Sequence, residues 1–147
     1  GANIRDATRA GNTSDAMVTL IKNGWGKADS AFMKGLATLF MPDATSAQLS
    51  NIVEIQNASA TPEVAAALRV AIDNFDVSDV LTKIQAPTLI VHSDGDAIHP
   101  ISQAKFLASQ IPDAQFLPLK NSNHVPLPQT EAWHQLMQSA LDFLAEP

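Results

Sequence analysis

The sequence predicts an α/β fold in which a helical segment is followed by a βαβα unit of a parallel sheet, incomplete on its own. Two short apolar runs, at residues 88–91 and 115–119, alternate with two stretches of helical periodicity. The first run is almost continuously apolar, which favours a strand buried on both faces of a parallel sheet. The order strand, helix, strand, helix indicates a right-handed crossover. A sheet of two strands needs further strands, from a missing N-terminal half or from another copy of the chain.

Composition limits the chain to one domain or one large part of a domain. Its 147 residues are 46% apolar, which is enough for one hydrophobic core. The nine Lys and Arg residues are scattered singly against a net charge of −6, so no basic stripe exists and we expect no contact with nucleic acid. The absence of cysteine excludes disulfides and thiolate nucleophiles.

Membrane and targeting segments are not recognisable in the sequence. No apolar run approaches the roughly 18–20 residues that span a bilayer, and the N-terminus has no charged-then-apolar signal pattern. We therefore expect no membrane contact and a cytoplasmic location. The chain begins with Gly1 rather than Met, which is consistent with a fragment that lacks an upstream half.

The patterning divides the chain into three segments, a connector at residues 1–12, a helical cap or lid at residues 13–84, and a C-terminal βαβα unit at residues 85–147. The connector is polar and shows no stable periodicity. The middle segment contains four short helical patterns, each with one apolar face that another layer must cover. This arrangement is typical of a lid subdomain.

Capping signals delimit the first two predicted helices. The first follows a cap at Thr13 or Ser14, and we expect it to stop at Gly24 in a left-handed conformation. The second opens at Asp29 or Ser30. The residues predicted to face inward are Met17, Leu20 and Ile21 in the first helix, and Phe32, Leu36, Leu39 and Phe40 in the second.

The third and fourth helices carry stronger start signals. Thr45 and Gln48 have the spacing of a capping box. Thr61 is a cap, and Pro62 takes the first helical position. The predicted inward residues are Leu49, Ile52 and Val53 in the third helix, and Val64, Ala67, Leu68, Ala71, Ile72 and Phe75 in the fourth.

The C-terminal unit contains two further predicted helices. One covers residues 100–111, and the other follows a cap at Thr130. Pro118 cannot donate to a strand ladder, so its strand is expected at a sheet edge. The predicted inward residues are Ile101, Ala104, Leu107 and Ile111, then Trp133, Leu136, Met137, Ala140, Leu141 and Leu144.

A polar residue follows each apolar run. Asp96 lies after the C-terminal end of the first run, and His124 lies after that of the second. A carboxylate that orients a histidine, and a histidine that takes a proton from a hydroxyl, are two of the three members of an acid–base–nucleophile triad. No serine lies in a Gly-x-Ser-x-Gly frame, so the chain lacks that form of nucleophile.

These stretches resemble a known family. PTLIVHSDGDAIHP and PDAQFLPLKNSNHVPL, with the closing helix, resemble the last two strands and catalytic loops of α/β-hydrolases. NGWGKADSAFMKGLATLFMPDATSAQL resembles the cap region of hydrolase domains fused to bacterial transcriptional regulators and nucleotide cyclases. The resemblance implies that Asp96, four residues before Pro100, is the acid and that His124, after Asn123, is the base. The family's nucleophile and oxyanion-hole residues have no matching positions here.

The resemblance implies a fragment of a serine hydrolase for esters or related carbonyl substrates, catalytically silent alone. The expected partners are an apolar or ester small molecule in the complete protein, the missing N-terminal half of the fold, and other copies of the fragment. The alternative is a ligand-sensing or interaction module of a bacterial regulator, in which the fold is kept without catalysis.

Other roles stay open for the residues around this site. Asp96 could cap the helix near Pro100, and His124 could be a surface loop histidine. Asp94 is a rival acid, although its position beside Gly95 favours a turn. A further set could be read as metal ligands, but its spacing matches neither a zinc motif nor a calcium loop, so we expect no metal and no cofactor. That set comprises His92, Asp94, Asp96 and His99.

Two histidines and a group of aromatic residues complete the candidates. His92 closes a strand, where a packed structural histidine is the usual case, and His134 is expected to face outward on the last helix. The aromatic residues fit either an apolar pocket under a lid or an ordinary helical core. They are Trp25, Phe32, Phe40 and Phe75.

Overall fold

The computed structural model of the protein describes residues 12–145 except residue 28, with side chains from residue 16 onward. The connector predicted at residues 1–12, apart from its last residue, and the capping side chains of Thr13 and Ser14 lie outside the described part. Six α-helices, a 3₁₀ turn and two β-strands form in the described residues. They are α1 (Asn12–Gly24), α2 (Ala31–Phe40), α3 (Ser46–Ser59), α4 (Pro62–Asp73), the 3₁₀ turn (Leu81–Lys83), β1 (Leu89–Ser93), α5 (Ile101–Gln110), β2 (Gln115–Leu119) and α6 (Glu131–Ala145).

These elements form two compact units. The first comprises the described residues up to Thr38 together with Ala44–Ser78, so it holds α1, α3, α4 and most of α2. The second comprises Leu39–Asp43 and the described residues from Asp79 onward, so it holds both strands, α5 and α6. Among the helices described in the two units, none combines the length and the apolar character that a membrane span requires.

The core of the first unit forms where α1 packs against α4. Ile21 of α1 is buried with Ala65 and Ala66 of α4, and the rings of Trp25 and Phe32 pack against this cluster. The indole Nε1 of Trp25 donates a hydrogen bond of 2.9 Å to a main-chain carbonyl oxygen, so its polar edge is satisfied within the core. The aromatic residues are predicted to line either an apolar pocket or a helical core. Trp25 and Phe32 belong to the core.

The end of α1 differs from the sequence prediction. Gly26 adopts the left-handed conformation, with φ of 72°, whereas Gly24 closes the helix without it. A Cβ added at Gly24 would lie 2.6 Å from the Cβ of Phe32. Gly24 is therefore required by the close approach of Phe32. The prediction of a left-handed stop at Gly24 is wrong.

The start of α4 agrees with its capping signals. The hydroxyl oxygen of Thr61 accepts from the amide of Val64 at 3.3 Å, and Pro62 opens the helix. The predicted inward face is wrong, because the buried residues are Ala65 and Ala66. The small alanine side chains let α1 approach the α4 backbone closely, and the larger apolar residues lie on the other side. Those exposed residues are Val64 (49%), Leu68 (54%), Ile72 (40%) and Phe75 (59%), together with Ala67 and Ala71.

The inward face predicted for α2 is only partly right, because Phe32, Leu36 and Phe40 are partly buried and Leu39 is exposed. Ser30 caps it, since its hydroxyl oxygen accepts from the amide of Met33. Met33 and Ala37 are fully buried, whereas the predicted inward residue Leu39 is 51% exposed. Leu20 of α1, also predicted to face inward, is half exposed.

The capping box of α3 is present. The hydroxyl oxygen of Thr45 accepts from the amide of Gln48, and the side-chain oxygen of Gln48 accepts from the amide of Thr45 at 2.9 Å. The reciprocal bonds satisfy two backbone donors that the helix itself cannot satisfy. The α3 residues predicted to face inward, namely Leu49, Ile52 and Val53, are only partly buried.

The second unit contains the predicted βαβα order. Strands β1 and β2 pair in parallel, from Leu89 opposite Gln115 to Ser93 opposite Leu119. The strand β1 is partly exposed along most of its length, and burial is complete only at its last residue, Ser93. In the described residues the sheet therefore has two strands, and each has an edge that no other described strand covers.

Two helices flank this sheet. The helix α5 buries Ala104 and packs against both strands, as its spacing predicts. The helix α6 begins after Thr130, whose hydroxyl oxygen accepts from the amide of Trp133. The inward stripe predicted for α6 is only partly right, because Ala132 is the buried residue and the outer part of the stripe is exposed. The exposed residues are Met137 (42%), Leu141 (59%) and Leu144 (78%).

Candidate active site

Parallel pairing brings the two loops that carry the candidate residues to one edge of the sheet. The carboxyl ends of β1 and β2 are adjacent, because Ser93 pairs with Leu119. The contact continues beyond the strands, where the amide of Asp94 donates to the carbonyl oxygen of Leu119 at 2.9 Å. The amide of Gly95 donates to the carbonyl oxygen of Asn121 at 3.0 Å. The Asp96 loop and the His124 loop are thus joined by main-chain hydrogen bonds.

The structure brings the two predicted site residues together. The Nδ1 atom of His124 lies 2.7 Å from Oδ2 of Asp96, although 28 positions separate them in the chain. The side chain of Asp96 is 2% exposed, whereas that of His124 is 29% exposed. A buried carboxylate beneath a partly open imidazole is the arrangement that an acid–base pair requires.

Asp96 is also held by the backbone of its own loop. Its Oδ1 atom accepts from the amide of Ile98 at 2.7 Å and from the amide of His99 at 3.3 Å. Burial raises the pKa of the Asp96 carboxyl, but the hydrogen bonds from His124 and these two amides outweigh burial and hold the pKa below its ordinary value. The helix α5 takes Pro100 as its cap residue without a side-chain bond, so Asp96 organises the loop and does not cap the helix.

Ionisation of Asp96 decides the tautomer of His124. A carboxylate only accepts hydrogen bonds, so the Nδ1 atom of His124 carries the proton in the 2.7 Å bond. In the neutral ring the Nε2 atom is then the proton acceptor. The ring of Phe40 meets the imidazole edge to face, with 5.1 Å between centroids and 89° between planes. The amide of His124 donates to the carbonyl oxygen of Phe40 at 2.8 Å, so the same residue fixes ring and backbone.

Two further histidines surround Asp96. His92 has its Nε2 atom 2.9 Å from the carbonyl oxygen of His99 and 3.7 Å from Oδ2 of Asp96. Because a carbonyl oxygen only accepts, Nε2 of His92 is the donor, as expected for a packed structural histidine. The His99 ring lies 5.5 Å from the His124 ring, and its Nδ1 atom is buried without a hydrogen-bond partner. Burial and the neighbouring charge of His124 lower the pKa of His99.

The rival acid Asp94 has a structural role. It forms a turn with Gly95, and its Oδ1 atom accepts from the amide of Asn121 at 3.1 Å. A Cβ added at Gly95 would lie 3.0 Å from Oγ of Ser122 and 3.2 Å from the carbonyl oxygen of Asn121, so the two loops meet at a position that only glycine fits without displacement. Asp96, not Asp94, contacts the imidazole of His124.

Metal binding by the alternative set of residues finds no support in the described chain. Within residues 12–145, residue 28 apart, no group of three or more His, Asp or Glu side chains could hold a metal ion. His134 is exposed on α6, as predicted.

Sequence reasoning missed the polar residues that support the His124 loop. The hydroxyl of Ser93 donates to the carbonyl oxygen of Asn123 at 2.7 Å, and the side-chain amide of Asn121 donates to the same oxygen at 3.0 Å. The side chain of Asn123 contacts Asp43, which is 80 positions earlier. The local signal was the pair of asparagines just before His124, whose amides can bond to nearby backbone. Nothing local points to Asp43.

Known proteins share this architecture. The esterase from Exiguobacterium antarcticum superimposes with a TM-score of 0.75 at 20% identity, over 99% of this chain and 53% of its own. A second structure, an alpha/beta hydrolase enzyme from a Medee basin deep-sea metagenome library, has a TM-score of 0.70 at 19% identity, over 91% of this chain and 50% of its own. The chain has an α/β-hydrolase-like fold. It contributes two parallel strands to that fold in the described residues, and it spans about half the length of these solved proteins.

A curated sequence is also similar. A putative carbamate hydrolase from Pseudomonas savastanoi pv. phaseolicola is 33% identical over 79 residues, which are 50% of this chain and 28% of the relative. No protein-family model matches the chain. The similarity is therefore to hydrolases, and it covers less than a third of this relative's length.

Proposed function

We propose that this chain supplies the acid and the base of a serine hydrolase whose nucleophile lies on strands outside the chain. The observation that carries the proposal is the 2.7 Å hydrogen bond between Nδ1 of His124 and Oδ2 of the buried, ionised Asp96. The likeness to an esterase and to a putative carbamate hydrolase favours esters or related carbonyl compounds as substrates. The chain is then the C-terminal part of a larger domain.

The chemistry follows from the tautomer. Nε2 of His124 takes the proton of a serine hydroxyl while that oxygen attacks the substrate carbonyl carbon. Asp96 stabilises the imidazolium that forms, because its carboxylate accepts the bond from Nδ1. The imidazolium returns its proton to the leaving alkoxide or amine as the bond to the acyl carbon breaks. Water then repeats the sequence on the acyl intermediate and releases the acid.

An ester assay tests this proposal. The chain alone should not hydrolyse a p-nitrophenyl ester, since it has no Gly-x-Ser-x-Gly nucleophile, whereas the protein extended upstream should do so. The substitution His124→Ala in the extended protein should abolish turnover. Turnover by the chain alone that survives His124→Ala would rule out the proposed acid–base role.

A second candidate is a ligand-sensing module of a bacterial regulator that keeps the fold without catalysis. It is favoured by the cap-like sequence of residues 23–49 and by the lack of a nucleophile turn in this chain. The upstream sequence discriminates the two candidates. A Gly-x-Ser-x-Gly turn there supports the hydrolase, and a replaced serine beside a DNA-binding or cyclase domain supports the sensor.

We also propose that the uncovered surfaces of the chain pair with the rest of the fold or with another copy. The two strands have open edges, and α4 and α6 expose large apolar residues such as Leu68 and Leu144. Light scattering on the chain alone should show an oligomer. A monomer at working concentration would contradict self-association.

A further inference from the structure

Asn123, immediately before the proposed base, is buried and fully bonded. Its side chain is among the largest that are completely inaccessible to solvent in the described residues. The Oδ1 atom accepts from the amide of Asp43 at 3.0 Å. The Nδ2 atom donates to Oδ2 of Asp43 at 3.2 Å and to Oδ1 of Asn121 at 2.9 Å. Burying an amide is unfavourable unless its donors and its acceptor are all paired, and here they are.

The peptide group between Asn123 and His124 is held at both of its polar atoms. The carbonyl oxygen of Asn123 accepts from the hydroxyl of Ser93 and from the side chain of Asn121. On the other side, the amide of His124 donates to the carbonyl oxygen of Phe40. With the peptide plane fixed, the positions of the N and Cα atoms of His124, from which the side chain starts, are fixed as well.

One short segment receives contacts from both residues. The main chain of Phe40 bonds to His124, and Asp43, three residues on, bonds to the side chain of Asn123 through both its amide and its carboxylate. The carboxylate of Asp43 belongs to an exposed residue, whereas its partner amide is buried. The segment at positions 40–43 therefore holds the histidine loop at two places, the backbone of His124 and the side chain of Asn123.

We propose that Asn123 is a positioning residue, which holds the imidazole of His124 at hydrogen-bonding distance from Asp96 through its three side-chain bonds. The inference rests on the proposed function of His124 as the base. Positioning matters because the rate of catalysis depends steeply on the position of the base. A displacement of about 1 Å in an active site can lower the rate about 10²-fold.

Nuclear magnetic resonance of the ¹⁵N-labelled full chain tests the inference without any activity. A proton on Nδ1 of His124 that is bonded to Asp96 gives a downfield resonance in slow exchange with water, and His124→Ala assigns it. The substitution Asn123→Asp keeps the size and one acceptor oxygen, but it removes both amide protons and sets a carboxylate against Asp43. The resonance should be lost. Adding Asp43→Asn provides a donor for the new carboxylate and should restore the resonance.

A matched variant separates positioning from general stability. Thr130→Ala removes the cap of α6 in the same unit, so it should lower the unfolding temperature and leave the resonance unchanged. A folded Asn123→Asp variant with the wild-type resonance and exchange rate would overturn the inference. If Asn123→Asp does not fold, the substitution Asp43→Ala, at an exposed position, is the test instead. Loss of the resonance in this variant supports the inference, and retention of the resonance overturns it.

The same experiment distinguishes the inference from the proposed function. Absence of the resonance from the wild-type chain would mean that Asp96 and His124 are not bonded, which overturns the proposed function and this inference with it. Presence of the resonance in the wild type, unchanged in a folded Asn123→Asp variant, overturns the inference alone.

Discussion

The ring of Phe40 stands perpendicular to the imidazole of His124, with 5.1 Å between the ring centroids. This edge-to-face contact is a second interaction of the imidazole, beside its bond to Asp96. The same two residues share a main-chain hydrogen bond of 2.8 Å from the amide of His124 to the carbonyl oxygen of Phe40. Phe40 is the last residue of α2, and it belongs to the same unit as His124.

Replacing Phe40 by leucine should weaken this arrangement while keeping the main-chain bond. We expect the free energy of unfolding to fall by about 1 kcal/mol, which is typical for loss of an aromatic pair with part of its buried area. Urea denaturation measures the change. Phe75→Leu is the control, because Phe75 is 59% exposed and its replacement should change stability by less than about 0.5 kcal/mol. Equal effects of the two substitutions would contradict a specific contact with His124.

Asp96→Asn in the complete protein should reduce kcat strongly and leave KM within a small factor. An asparagine at this position no longer fixes the tautomer of His124 or stabilises the imidazolium, and loss of about 10⁴-fold in kcat is the precedent for such a change in a triad. Steady-state hydrolysis of an aryl ester measures both constants.

Asp94→Asn is the matched control for that substitution. Asp94 lies in the same loop, and its Oδ1 atom accepts from the amide of Asn121, a bond that an asparagine can also accept. We expect activity within about twofold of wild type, since surface substitutions that keep their bonds have small effects. If Asp94→Asn lost activity as Asp96→Asn does, the assignment of Asp96 as the acid would be wrong.

The pairing of Asp96 with His124 could be predicted because it depends on short-range rules. Each residue follows an apolar run, and the carboxyl ends of neighbouring parallel strands lie at one edge of the sheet. The strand predicted at residues 115–119 agrees with β2, and the capping box at Thr45 and the cap at Thr61 depend on spacings of three residues. Signals of this kind depend on residues that are close in the sequence, so they can be recognised without the rest of the fold.

The buried faces of the helices could not be predicted in the same way. In α4, Ala65 and Ala66 lie on a different side from the larger apolar residues, and the periodicity alone favours the face with the larger ones. The structure buries Ala65 and Ala66 because α1 approaches there, and it exposes Val64 and Leu68. The contact of Asn123 with Asp43 spans 80 positions, so only the folded chain reveals it.

Gly95→Ala should destabilise the chain by separating the two loops of the site. The added methyl group would lie 3.0 Å from Oγ of Ser122 and 3.3 Å from its Cα, where the backbone has to move. We expect a loss of about 1–3 kcal/mol in the free energy of unfolding, as for overpacking elsewhere. Ser122→Ala should recover part of this loss, because it removes the nearest atom.

Gly35→Ala provides the opposite control in urea denaturation. A Cβ at Gly35, inside α2, has no neighbour within 4 Å. This substitution should therefore stabilise the chain by about 0.5–1 kcal/mol, since alanine favours a helix over glycine. Similar effects at both glycines would show that the loops carrying Asp96 and His124 do not meet as described.

Acidification should lower the stability of the chain through His99 and, at lower pH, through Asp96. Folding lowers the pKa of His99 from 6.5, through burial and the charge of His124, and lowers the pKa of Asp96 from 3.8, because hydrogen bonds outweigh burial. Between the folded and unfolded pKa of each group the unfolded chain binds more protons, so the free energy of unfolding falls as pH falls through that interval. The His99 step begins below about pH 6.5 and ends at its folded pKa, and the Asp96 step begins below about pH 3.8.

Urea denaturation at a series of pH values measures these steps. The substitution His99→Gln removes the first titration, so its stability should change less than that of the wild type as pH falls from 7 to about 5. His134→Gln, at an exposed position on α6, is the matched histidine control and should keep the wild-type profile. A wild-type profile in His99→Gln would mean that the partly buried ring of His99 does not contribute to the acid sensitivity of the fold.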